Sequence, residues 1–153
     1  MKARTIALTL VMCFTGLTLC FAENANMGTW KLNESKSKLG SGPKNTMVAY
    51  TKEGDNVKVS IDGVDAQGKP THSEWTGKFD GKDYPVTGDA NSDARSYKAI
   101  DDHKLDFASK KDGKVIMSGK INVSADGKVR TVTASGTDAA GKKFHSVGVY
   151  DKQ

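Results

Sequence analysis

Residues 112–128 read Asp112-Gly-Lys-Val-Ile-Met-Ser-Gly-Lys-Ile-Asn-Val-Ser-Ala-Asp-Gly-Lys128. Two Asp-Gly-Lys turns bracket a run in which Val115, Met117, Gly119, Ile121 and Val123 alternate with Ile116, Ser118, Lys120 and Asn122. A period of two puts each set on its own face of a β-strand. Asp-Gly suits a tight hairpin, because glycine tolerates positive φ and aspartate bonds to its own backbone.

The same grammar runs outward in both directions. Val57, Val59 and Ile61 alternate with Lys58, Ser60 and Asp62, and Leu105 and Phe107 with Lys104, Asp106 and Ala108. Further turns fall at Gly54-Asp55-Asn56, Ala66-Gln67-Gly68, Asp80-Gly81, Asp101-Asp102 and Ala140-Gly141. The pattern predicts strands at 28–33, 46–53, 57–64, 71–79, 83–87, 94–100, 104–110, 114–124, 128–136 and 142–150. Pro85 marks 83–87 as an edge or an irregular corner. Glu34 to Leu39 has room for a turn or two of helix before Gly40, Gly42 and Pro43 stop it. A meander this long leaves two bare edges and one apolar face, and closure removes both problems. The expected fold is all-β, a single up-and-down antiparallel β-barrel of 8–10 strands with no major helix after residue 22.

Residues 1–22 read differently. Lys2 and Arg4 precede an apolar run from Ile6 to Phe21 that ends at Cys20-Phe21-Ala22. That order is the pattern of a secretory signal peptide, with cleavage expected near Ala22 and one domain at 23–153. The alternative is a lipoprotein anchored through Cys20, but Leu19 is too large for the residue before a lipidated cysteine. The run of 16 residues, broken by Thr and Gly, is short for a membrane span. Both cysteines, Cys13 and Cys20, lie in the leader, so the exported portion would be cysteine-free. The expected location is the periplasm or the exterior.

Without Lys2 and Arg4 the chain carries 21 Lys plus Arg against 18 Asp plus Glu, and only Arg95 and Arg130 are arginines. Lysines alternate with aspartates and form no basic stripe, which excludes a nucleic-acid surface. Leu, Ile, Val and Phe make up 21 of the 131 residues after Ala22. The inward positions expected from parity are small or polar at Ser73, Gly77, Ser109, Gly119, Thr131, Thr133, Ser146 and Gly148. Larger inward candidates are Trp75, Phe79, Tyr97, Phe107, Met117 and Tyr150. A lining this thin implies that part of the interior is open, and a squashed, packed barrel is the alternative.

One internal repeat is present. Residues 63–73 and 136–146 agree at seven of eleven positions, with an offset of 73. Strand parity puts both turns at the same barrel end as Asp112-Gly113.

Gly28-Thr29-Trp30 on the first strand resembles the Gly-x-Trp signature of lipocalins. Trp30-Lys31-Leu32-Asn33 and the turn pattern that follows are similar to small secreted bacterial lipocalin-like (calycin-type) proteins, whose role is generally undefined. The resemblance implies that Trp30, with Gly28, plugs one barrel end. It also implies a ligand pocket, for which Trp75, Tyr97, Phe107, Met117 and Tyr150 are the candidate residues. Lipocalins also place an arginine near the last strand to cover the tryptophan. Here Arg130 falls on the ninth predicted strand and Arg95 on the sixth. Fatty-acid-binding proteins share the ten-strand count but insert a two-helix lid, for which residues 34–45 are too few.

No catalytic constellation is visible. Gly63 to Lys69 and Gly136 to Lys142 each read Gly-x4-Gly-Lys, but Pro70 and Lys143 stand where a phosphate loop needs Ser or Thr, and neither opens a helix. There is no Gly-x-Ser-x-Gly elbow. His72, His103 and His145 are read as surface histidines, with no metal and no cofactor. The sequence therefore points to a non-catalytic binding protein for a small apolar or amphipathic ligand. The alternative is an interaction module, an inhibitor or stress factor, acting through its loops around a packed core.

Overall fold

The computed structural model describes residues 24–40, 42–138 and 141–153. The leader, Cys20 and the expected cleavage at Ala22 lie outside the described residues. Ten strands follow in order: β1 (Gly28–Leu32), β2 (Lys44–Glu53), β3 (Asn56–Val64), β4 (Pro70–Gly77), β5 (Tyr84–Thr87), β6 (Ala94–Asp101), β7 (Lys104–Lys111), β8 (Lys114–Val123), β9 (Val129–Thr137) and β10 (Lys143–Lys152). Each pairs with its neighbours in sequence, and β1 pairs with β10, giving a closed antiparallel barrel. The expected up-and-down topology is the one observed.

Asp112 and Gly113 join β7 to β8 with φ of 50° and 74°. Both values are positive, as a two-residue hairpin turn of matching twist requires. Asn33 caps a single 3-10 turn, Glu34–Lys36, its side chain accepting from the Lys36 amide at 3.2 Å. The helical turn stops short of Leu39 because Ser37 is already extended. β5 is the thin part of the wall, with two paired residues on each side. The Trp75 indole bridges it, donating to the Arg95 carbonyl at 2.8 Å.

The described ends of the two repeat turns make the same hydrogen bond. The Asp65 amide donates to the Lys69 carbonyl and the Asp138 amide to the Lys142 carbonyl, each at 2.9 Å. Both turns lie at the far end of the barrel, where the β7–β8 turn also sits.

The outer face is polar. Its rows include Lys58, Ser60 and Asp62 on β3, His72, Glu74 and Thr76 on β4, and Ser118, Lys120 and Asn122 on β8. A membrane barrel presents an apolar band outward, whereas these rows of β3, β4 and β8 are polar. Among the described residues no helix is long and apolar enough to cross a membrane.

Two expectations about the interior need correction. On β9, Thr131 and Thr133 face outward, opposite Asn122 and Lys120, while Arg130, Val132 and Ala134 face the lumen. The misleading signal is Val129 and Val132, whose spacing of three puts them on opposite faces. Small inward residues also do not simply mark empty space. A Cβ on Gly77 would lie 2.5 Å from the Tyr84 ring and 2.7 Å from the Trp75 ring. One on Gly119 would lie 2.8 Å from the Phe107 ring, and one on Gly148 would lie 3.0 Å from the Tyr150 ring. These glycines are seats for aromatic rings.

Gly119 is the tightest, since its Cβ would also meet the Thr133 carbonyl at 2.0 Å. Gly119→Val should cost at least about 2 kcal/mol, read as a lower urea midpoint. Gly127→Ala, a turn glycine with open space around it and φ of 70°, should cost about 1 kcal/mol.

Candidate functional site

The barrel has two unlike ends. At the end where β1 begins, the Ala25 amide donates to the Asp102 carbonyl at 2.8 Å, which ties the segment before β1 to the β6–β7 turn. Asn26 is fully buried there, and its carbonyl accepts from the Trp30 indole at 2.8 Å. Trp30 is 0% exposed. Lys152 on the last strand holds its Nζ 5.1 Å from the centre of the Trp30 rings. A cation thus covers the tryptophan, but it is a lysine from β10 and not one of the two arginines. Gly28 accommodates this lysine, with Lys152 Cε 3.1 Å from where its Cβ would stand.

One side of the lumen is aromatic. Trp75 and Tyr97 meet edge to face at 4.8 Å between ring centres, Tyr97 and Phe107 lie 6.3 Å apart, and Tyr50 contacts Phe79 and Tyr97 at 6.2 Å. Such pairs contribute about 0.5–1.5 kcal/mol each beyond their burial.

The facing wall is β8–β9–β10. Register aligns four inward rungs along it. From the Trp30 end they are Val123–Arg130–Tyr150, Ile121–Val132–Gly148, Gly119–Ala134–Ser146 and Met117–Gly136–Phe144. The third rung, Gly119–Ala134–Ser146, is built of small residues. Met117 and Val132 are only partly buried, and Phe144 at the far rim is 36% exposed. Of the five candidate ligand residues, all face inward. Trp75, Tyr97 and Phe107 sit together in the aromatic wall, Met117 stands at the rim, and Tyr150 lies at the bottom beside Arg130.

Sequence reasoning missed both arginines, Tyr50 and Phe144 as lumen residues. Arg95 and Arg130 are buried, at 6% and 3% exposure. Arg95 is anchored by partners: Nε donates to Ser109 Oγ at 3.0 Å and Nη2 reaches Asp89 at 3.4 Å. Burial works against its charge, but Tyr97 and Asp89 more than restore it. Arg130 donates from Nη2 to the Tyr50 hydroxyl at 2.5 Å and stacks over the Tyr50 and Tyr150 rings at 4.9 and 5.4 Å. Its Nε and Nη1 have no partner among the described residues. Burial pushes the Tyr50 phenol far above its ordinary range against the opposing Arg130 charge, and raises Tyr150 likewise, so neither supplies an anion.

Elsewhere, two open concavities lie on the outer surface. One lies around Leu32–Ser35 and Asp151, the other around Asp101–Lys104 and Ala125. Among the described residues no group of three or more His, Cys, Asp or Glu side chains converges as a metal site would require. On the outer face His72 Nδ1 lies 2.7 Å from Asp62 and Nε2 lies 3.6 Å from Glu74.

The fold is similar to that of a solved structure of EF1p2_mFAP2b bound to DFHBI, at 12% identity over 84% of this chain and 94% of that one, with a TM-score of 0.50. A redesigned beta barrel, mFAP1, also bound to DFHBI, aligns at 14% identity over 86% of this chain and 100% of that one, with a TM-score of 0.46. No family model and no curated protein matches the chain. The first likeness speaks to the fold.

Two outcomes are expected. Tyr50→Phe removes the hydroxyl that Arg130 bonds and should lower stability by about 1–3 kcal/mol, while Tyr150→Phe should change it by less than about 0.5 kcal/mol; equal urea midpoints for the two would contradict this. The Asp62 hydrogen bond raises the His72 imidazole above its ordinary value. Its stabilising contribution is therefore present below the unfolded histidine pKa and fades as pH rises through the raised folded value. An NMR titration should show the His72 midpoint falling in Asp62→Asn.

Proposed function

We propose that this chain is a non-catalytic, extracytoplasmic binding protein that holds a small apolar or amphipathic molecule inside its barrel. The observation that carries the reading is the β8–β10 wall. Along it Phe144 and Met117 at the rim and Val132 within are left incompletely buried, beside the buried Ile121 and Ala134. An apolar molecule laid along that wall would gain about 25 cal/mol for each Å² it removes from water. The aromatic wall opposite is already packed, with Trp75 1% and Tyr97 3% exposed, so the β8–β10 side would carry the contact. Trp30 and Gly28 would form the floor, so the ligand would pass the rim at Phe144. A solved barrel of similar fold is described as bound to DFHBI, which fits a fold that can hold a small molecule.

Export rests on the basic start, apolar run and small-residue ending of residues 1–22, and on the resemblance to small secreted bacterial lipocalin-like proteins. The polar outer face suits life in solution after the leader is removed.

The test is a fluorescence titration with the neutral apolar probe N-phenyl-1-naphthylamine. Saturable binding is expected, with energy transfer from Trp75. Phe144→Asp should weaken it about tenfold, which is ~1.4 kcal/mol, with an unchanged urea midpoint. Absence of saturable binding would overturn the lumen reading and favour a module acting through its loops.

A further inference from the structure

We infer that Arg130 is an anion-recognising residue at the bottom of the lumen, and that the ligand carries one acidic oxyanion group, a carboxylate or sulfonate, at the end of an apolar body. This rests on the reading above that the lumen takes a small molecule.

A guanidinium offers five N–H donors and stays cationic in proteins. Arg130 uses Nη2 on the Tyr50 hydroxyl, while Nε and Nη1 face no acceptor and no carboxylate pairs with it among the described residues. Its cross-strand neighbours, Val123 and Tyr150, supply none. Asp151, the next residue on β10, bonds Asn33 and Lys36 on the outside. Two tyrosine faces attract the cation, but they accept none of its remaining hydrogens. A buried charge left this way costs several kcal/mol. Arg95 shows the same barrel meeting that cost in the ordinary way, with Ser109 and Asp89. Among the described residues Arg95 has a carboxylate partner and Arg130 has none, and the unmatched charge is the one at the foot of the β8–β10 wall.

The geometry of that wall sets the shape of the ligand. From Arg130 to Gly136 is six residues of β9, about 20 Å along the strand. An acidic head on Arg130 would leave its apolar body against Val132, Ala134 and Gly148, reaching toward Met117 and Phe144. A carboxylate or sulfonate accepts two charge-assisted hydrogen bonds from one guanidinium, which water or an alcohol does less strongly.

The experiment compares two probes with one ring system, 1-anilinonaphthalene-8-sulfonate and neutral N-phenyl-1-naphthylamine. The wild-type chain should bind the sulfonate at least tenfold more tightly. Arg130→Met, which exchanges the unpaired charge for an apolar chain of similar length, should lose that tenfold preference and keep the neutral probe within threefold. Placed in a Tyr50→Phe background, where no hydroxyl is orphaned, Arg130→Met should leave the urea midpoint equal or higher, whereas a purely structural arginine would give a lower one. Arg130→Lys, which keeps the charge, should retain part of the preference. Equal binding of both probes by wild type, or a preference that survives Arg130→Met, would overturn the inference and leave the lumen reading standing. Failure of both probes to bind would overturn both.

Discussion

The pairing of β1 with β10 is the contact on which the rest depends. Trp30 lies opposite Lys152, and Leu32 opposite Tyr150. The Asn33 amide donates to the Val149 carbonyl at 2.8 Å, and the Gln153 amide to the Thr29 carbonyl at 3.0 Å. That seam turns a meander with two bare edges into a ring. Once the ring is closed, every second residue of every strand is committed to the lumen, and the sequence must fill a fixed volume from ten directions. It also brings Lys152 over Trp30, so one register fixes both the closure and the covering of the buried indole.

The lumen is filled unevenly. On the side of β4–β7 the large rings interlock, with glycines opposite them where a Cβ would clash. On the side of β8–β10 the rung Gly119–Ala134–Ser146 is small, and at the foot of that wall stands a guanidinium with two nitrogens unpartnered among the described residues. Native interiors rarely leave buried donors empty. The aromatic wall, the small third rung opposite it and a buried cation unmatched among the described residues are the features on which the proposed receptacle rests.

Much of the fold was legible in the residues because period two and Asp-Gly turns are local signals. Strand ends fell within two residues of the alternation, and Asp112-Gly113 formed the turn its chemistry demands. The contents of the lumen were less legible. Arg130 on β9 breaks the rule that charged residues face water, and Val129 with Val132 gave two conflicting faces. Tyr50 and Arg130 are 80 residues apart, and their hydrogen bond arises only from closure. Gly119 and Gly148 looked like gaps because the rings that lie on them come from other strands or other rungs. The resemblance that pointed to Trp30 named an arginine as its cover, and the cross-strand register supplied Lys152 in its place.

The most direct measurement is native mass spectrometry of the protein purified from its own host. The expected result is a discrete small-molecule adduct that leaves as an organic acid and is absent from protein carrying Arg130→Met. Bare protein under conditions that preserve the folded barrel, or a neutral adduct indifferent to Arg130, would contradict it.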